Sequence, residues 1–190
     1  MSPVFVITGP SAAGKTAVIS ALLKLFPEAG RMINTTTRPQ RPGEVHGKDY
    51  WFMTRQEFEN AVKNDEFIEW VETYGNLYGS SRAHLKDSRA KYPLVFMSLD
   101  MRGAHTYFEK VPDIQVIFIK PGNIEDLRRR LAERRSSTSP EELDRRMKEI
   151  RHEIDTAHEF STVILNRDGK LDEAVGEAVL IVRETLAKRA

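Results

Sequence analysis

The chain has 190 residues, with 29 Lys and Arg against 28 Asp and Glu, five His and no Cys. That length suits one domain carrying a small inserted subdomain, and the missing Cys excludes a disulfide framework, a thiolate zinc site and a cysteine nucleophile. A net charge of +1 argues against a bulk electrostatic binder of nucleic acid, and no apolar stretch approaches the roughly 18 residues a membrane span requires.

In chain order, Met1–Thr8 has no basic segment and only a short apolar run, which fits neither a signal peptide nor an anchor and points to a cytoplasmic protein. Val4–Thr8 reads as a buried strand. Lys15–Phe26 reads as a helix, with Val18, Leu22 and Phe26 at four-residue spacing and a stop before Pro27. Between Arg31 and Gly79 the pattern becomes mixed: Asp49–Met53 and Phe67–Glu72 suit short strands, and Thr54-Arg55-Gln56-Glu57 suits a capped helix start. Leu94–Leu99, Gln115–Lys120 and Ser161–Leu165 are further strands, apolar enough for a sheet covered on both faces. Asn123 can cap a helix holding Ile124, Leu127 and Leu131 on one side. After a polar loop over Arg134–Pro140, the run Ser139-Pro140-Glu141-Glu142 starts another helix, striped by Leu143, Met147, Ile150 and Ile154. The last helix begins near Asp172 and carries Val175, Val179 and Val182. Strands alternating with helices predict an α/β fold, a parallel sheet flanked by helices.

Gly9-Pro10-Ser11-Ala12-Ala13-Gly14-Lys15-Thr16 fits G-x-x-x-x-G-K-S/T in its proper strand–loop–helix setting. The glycines let backbone N–H groups converge on phosphate oxygens, and the helix N-terminus adds partial positive charge. Lys15 reaches the β- and γ-phosphates, and the Thr16 hydroxyl can ligate Mg²⁺. Such a loop announces a nucleoside triphosphate but leaves the reaction open. Arg38 and Arg41, three apart in a loop stiffened by Pro39, Pro42 and Gly43, can hold a second phosphate. Taken alone, the pair reads more readily as solvated surface arginines.

The segment continues Gly43-Glu44-Val45-His46-Gly47-Lys48-Asp49-Tyr50, then Phe67-Ile68-Glu69 and Gly75-Asn76-Leu77-Tyr78-Gly79-Ser80, then Leu99-Asp100-Met101-Arg102-Gly103-Ala104. Together with the phosphate loop these motifs resemble the guanylate kinase family over roughly residues 4–182. The resemblance implies a P-loop core (1–32, 82–122 and 155–190), an inserted GMP-binding subdomain (33–81) and a small helical lid (123–154). It implies that Arg38, Arg41, Tyr50 and Tyr78 hold the GMP phosphate. Glu69 would accept from the ring imino and exocyclic amino groups of guanine, with Asn34, Ser80 and Asp100 as further base contacts. A site built on such hydrogen bonds rejects a base lacking them by on the order of 10⁴. Arg130, Arg134 and Arg146 match lid arginines that neutralise the transferring phosphoryl group, and Asn166 matches a position near the adenine. The implied reaction is ATP + GMP → ADP + GDP with Mg²⁺, dGMP also serving, in a monomer or homodimer that touches neither nucleic acid nor membrane.

Three positions depart from the resembled pattern. Asn34 replaces a small hydroxyl residue, Ser98 replaces the first Asp of an Asp-x-Asp pair that supports the Mg²⁺, and Arg135 replaces a Gly in a lid loop about one residue longer. They keep open a P-loop phosphotransferase with another small phosphorylated acceptor; a non-catalytic guanylate-kinase-like module that binds proteins is a further alternative, against which the intact Lys15 and Thr16 stand.

Overall fold

A computed structural model of the chain describes residues 1–73, 75–134, 140–160 and 162–189. Its larger sheet is built where the apolar runs predict it. β1 (Val4–Thr8) lies at the centre, and its side chains alternate between two buried layers. Phe5 and Ile7 join a cluster with Ile19, Leu22 and Val182, while Val4 and Val6 join one with Tyr107 and Phe118 on the opposite face. Only a parallel sheet roofed on both sides buries successive strand residues in this way.

The phosphate loop leads from β1 into α1 (Lys15–Leu25), which ends one residue before Phe26, its C-cap. Next come β2 (Gly30–Arg31), β3 (Thr35–Thr36), β4 (Trp51–Phe52), α2 (Arg55–Lys63), β5 (Phe67–Thr73), β6 (Asn76–Ser81) and α3 (Arg82–Lys91). The rest is β7 (Val95–Ser98), α4 (Met101–Lys110), β8 (Ile114–Pro121), α5 (Ile124–Arg134), α6 (Pro140–Asp155), a 3₁₀ turn (Ala157–Glu159), β9 (Val163–Asn166) and α7 (Leu171–Ala187). The larger sheet has the order β2-β7-β1-β8-β9 with parallel pairing throughout. The smaller sheet, β4-β3-β6-β5, mixes one parallel with two antiparallel pairings. It forms the inserted unit, and its own core joins Phe58 and Ala61 of α2 to Phe67 and Leu77.

The local signals acted as expected at two helix starts. Thr54 and Glu57 form the reciprocal capping box of α2, and the Asn123 side chain accepts the Glu125 backbone N–H at 3.0 Å ahead of α5. The strand expected over Asp49–Met53 contracts to Trp51–Phe52, because the partner β3 is itself two residues long. Ser139, expected to cap α6, and Ser161, expected to open β9, lie outside the described residues, as do Tyr74, Arg135 and most of the lid loop. Among the described residues no helix is long and apolar enough to cross a membrane.

Candidate active site

Phosphate-binding loops work by backbone conformation, and this one is wound as its glycines permit. Gly9 (φ 130°), Ala12 (φ 64°) and Gly14 (φ 100°) are all left-handed. A β-carbon at Gly9 would fall against the Ile119 carbonyl of the neighbouring strand β8, so only glycine can lie there. The Lys15 ammonium spans the loop, donating to the carbonyls of Gly9 (2.6 Å) and Pro10 (2.9 Å). Thr16 lies in the first turn of α1, exposed at the cleft. The loop is tied from below: Asn166, buried at the end of β9, donates from Nδ2 to the Ala13 carbonyl at 2.8 Å. Asn166 therefore supports the phosphate loop, whatever its relation to an adenine ring.

Of the lid arginines, Arg130 reaches back from α5 to the Ala12 carbonyl at 3.2 Å and pairs with Asp168, which also holds Arg129 at 2.7 Å. These arginine hydrogen bonds hold the exposed Asp168 carboxyl below its ordinary range. Arg146 is buried on α6. Arg134 closes α5, and its side chain lies outside the described residues.

Across the cleft, Arg38 is buried and anchored. Its Nη2 pairs with Glu44 at 2.7 Å and its Nη1 donates to the Pro39 carbonyl at 2.8 Å. Its guanidinium also lies over the Tyr50 and Phe52 rings, at 5.4 and 5.7 Å from their centroids. Burial opposes ionisation of Glu44, yet Arg38 and the Arg41 backbone N–H, 2.8 Å away, hold its carboxyl below the usual value. The Arg41 side chain itself is exposed. Tyr78 meets Tyr50 edge to face at 6.1 Å, and burial, then Tyr78, push the Tyr50 phenol upward. The structure thus brings Arg38, Tyr50 and Tyr78 together, with Arg41 at the rim.

A polar pocket lies at the join between the two sheets. Glu69 on β5 faces Ser80 on β6, next to a register irregularity between Phe67 and Glu69. The Ser80 hydroxyl donates to Glu69 Oε1 at 2.6 Å, and both residues are buried. Burial drives the Glu69 carboxyl up to about 7; the Ser80 hydrogen bond opposes that rise and the nearby Asp100 adds to it. Asp100 caps α4 through the Gly103 N–H at 2.8 Å, and the Thr73 hydroxyl approaches its other oxygen at 3.4 Å. Asn34 completes the pocket: Nδ2 donates to the Ser98 carbonyl at 2.6 Å, and Oδ1 lies 3.5 Å from the Ser80 hydroxyl. The bulkier amide is accommodated because the end of β7 supplies an acceptor for it.

Four participants escaped the sequence reading. Gly103 matters for its lack of a side chain, since a β-carbon there would lie 2.8 Å from Glu69 Oε2 and 3.2 Å from Asp100 Oδ1. Glu44 was visible only as part of a motif, and Asp168 carried no local signal. Half-buried Glu153 of α6 faces Lys15, with Asp100 and Glu149 as like-charged neighbours; burial first, then those acids, push its carboxyl up against the pull of Lys15.

The two halves share one cleft of about 560 Å³, lined by Ser11, Lys15 and Thr16 from the phosphate loop and first helix, Tyr50 from the inserted unit, Ser98 and Arg31 from the sheet edge, and Arg130 from the lid. It opens at the carboxyl ends of the parallel strands, where such sheets bind ligands. A phosphate loop, a lid arginine and a tyrosine of the inserted unit around one cleft suit a P-loop phosphotransferase. The guanylate kinase family profile matches residues 1–185. The chain is 39% identical to the guanylate kinase of Symbiobacterium thermophilum over 183 residues, 96% of this chain and 85% of that protein. It is 35% identical to that of Rubrobacter xylanophilus over 182 residues, 96% of this chain and 94% of the relative. The crystal structure of guanylate kinase from Anaplasma phagocytophilum superposes with a TM-score of 0.76 at 30% identity, covering 96% of this chain and 85% of that one. The chain belongs to the guanylate kinase family.

Proposed function

We propose that this chain transfers the γ-phosphoryl group of ATP to GMP, and to dGMP, in the cleft between the phosphate loop and the inserted unit. The observation that carries the reading is the buried Glu69, paired with Ser80 and bordered by Asn34 and Asp100, a short way from a second phosphate grip. A carboxylate accepts two hydrogen bonds side by side, and guanine offers a matching pair in its ring N–H and exocyclic amino group. Adenine has no such pair and would strand a buried charge.

Arg38, Tyr50, Tyr78 and the rim Arg41 hold the acceptor phosphate, whose oxygen is already anionic and needs no general base. The backbone of Gly9–Gly14 and the Lys15 ammonium hold the donor phosphates, with Lys15 exchanging its loop carbonyls for phosphate oxygens. Arg130, Arg134 and Arg146 contribute the lid's positive charge. Phosphoryl transfer asks the protein chiefly for in-line placement and countercharge, and lid closure excludes the water that would hydrolyse ATP.

Among the described residues no group of three His, Asp or Glu side chains forms a metal cage, and none is needed. Mg²⁺ bound through phosphates and waters takes only one or two protein oxygens, and the Thr16 hydroxyl, directly after Lys15 at the cleft wall, would be the one to hold it. Held there with ATP, Mg²⁺ would supply countercharge for the β- and γ-phosphates.

The test is ADP release from Mg·ATP with GMP, dGMP, AMP, CMP or UMP as acceptor. GMP and dGMP are expected to support turnover and the others not, and Lys15→Ala is expected to lower it at least about 100-fold, the scale of losing one transition-state donor. Turnover with a different acceptor, or with none, refutes the proposal.

A further inference from the structure

Arg31 ends β2, the edge strand whose register pairs Arg31 with Phe96 of β7. Its half-buried side chain lines the cleft beside Lys15, Thr16, Tyr50 and Ser98, and its charge acts on the Tyr50 phenol, opposing the rise that burial causes. Two other arginines of the site already have partners inside the protein: Arg38 pairs with Glu44, and Arg130 with Asp168 and the Ala12 carbonyl. Among the described residues Arg31 has no ion pair and no side-chain hydrogen bond. The residue closing β7 beside it in the cleft is the neutral Ser98. Removing a guanidinium from water without a carboxylate to receive it is unfavourable, so this cation is complete only when an anion enters the cleft. A planar guanidinium suits phosphate oxygens, which it binds with two parallel hydrogen bonds.

We propose that Arg31 binds a nucleotide phosphate in the gap between Lys15 and Tyr50. The inference rests on reading the cleft as a site for two nucleotides. Arg31 would supply countercharge at the point where donor and acceptor phosphates face each other, next to the place where Ser98 offers no carboxylate to hold a metal.

The test is binding of GMP, ATP and the two phosphate-free nucleosides, guanosine and adenosine, to wild type, Arg31→Gln and Arg31→Lys, by calorimetry for the nucleotides and by melting shift at millimolar concentration for the nucleosides. Arg31→Gln is expected to weaken GMP or ATP by about tenfold or more, the scale of a hydrogen bond to a charged group. Nucleoside shifts should stay at the wild-type level, and Arg31→Lys should recover part of the loss. A loss confined to GMP assigns Arg31 to the acceptor phosphate, and one confined to ATP to the donor. Unchanged affinity for both nucleotides overturns the proposal. So does an equal loss in the nucleosides, because it would mean that Arg31 only supports the fold. A wild type that binds both nucleotides yet transfers no phosphoryl group would refute the kinase reading and leave the Arg31 result standing.

Discussion

Replacing Glu69 by glutamine separates what the fold wants at this position from what the guanine site wants. In the ligand-free protein the Glu69 carboxyl titrates at about 7 against an ordinary 4.5, mainly because it is buried. A carboxyl whose pKa rises on folding takes up a proton as the chain folds, so stability falls as pH rises from 4.5 to 7. The penalty is absent below that window and complete above it. The difference of 2.5 units (about 7 minus 4.5) at about 1.36 kcal/mol per unit amounts to ~3 kcal/mol at pH 8. The glutamine amide is neutral, keeps an oxygen for the Ser80 hydroxyl, and removes that cost. The Glu69→Gln variant is therefore expected to be more stable than wild type at pH 8 by up to about 3 kcal/mol, equal to several degrees in Tm for a chain of this size. The advantage should shrink to nothing by about pH 4.5. In the same variant the amide presents one acceptor instead of two, so GMP affinity and the preference for GMP over AMP should both fall. Denaturant titrations from about pH 4.5 to 8, paired with GMP calorimetry, read both effects. Equal stability of the two proteins at pH 8 would refute the buried-carboxylate argument, and undiminished GMP preference would refute the base-reading role.

Gly103→Ala places a methyl 2.8 Å from Glu69 Oε2, so KM for GMP is expected to rise about tenfold while KM for ATP stays put, as steady-state kinetics will show; the scale is that of one impaired charged hydrogen bond. Asn166→Ala strips the buried Ala13 carbonyl of its partner and is expected to destabilise the fold by ~1–3 kcal/mol, with weaker ATP binding, measured by thermal denaturation with and without ATP.

The phosphate loop could be read directly because every part of it is contiguous: a strand, eight residues and a helix start, with glycines at the two positions where the wound backbone and the neighbouring strand require them. The helices with local caps, such as α2 behind Thr54, were equally legible. The strands β2, β3 and β6 had no such signal, and β4 was legible only as part of a longer run. Three of these four are two residues long, and their hydrogen bonds depend on partners distant in sequence. The polar pocket around Glu69 drew on motifs for Glu69, Ser80 and Asp100, yet its geometry comes from Gly103 making room and from the Ser98 carbonyl accepting Asn34.

By itself the sequence determined the α/β class and the triphosphate loop, since these follow from periodicity and from short-range chemistry. Tertiary structure alone decided which charges have a partner within the protein and which have none. Glu44 pairs with Arg38 and Asp168 with Arg130, whereas Arg31 meets no carboxylate among the described residues. The near-equal count of 29 positive and 28 negative residues conceals that partition. Coulomb energies depend on distance and on exclusion of water, which a list of residues does not contain.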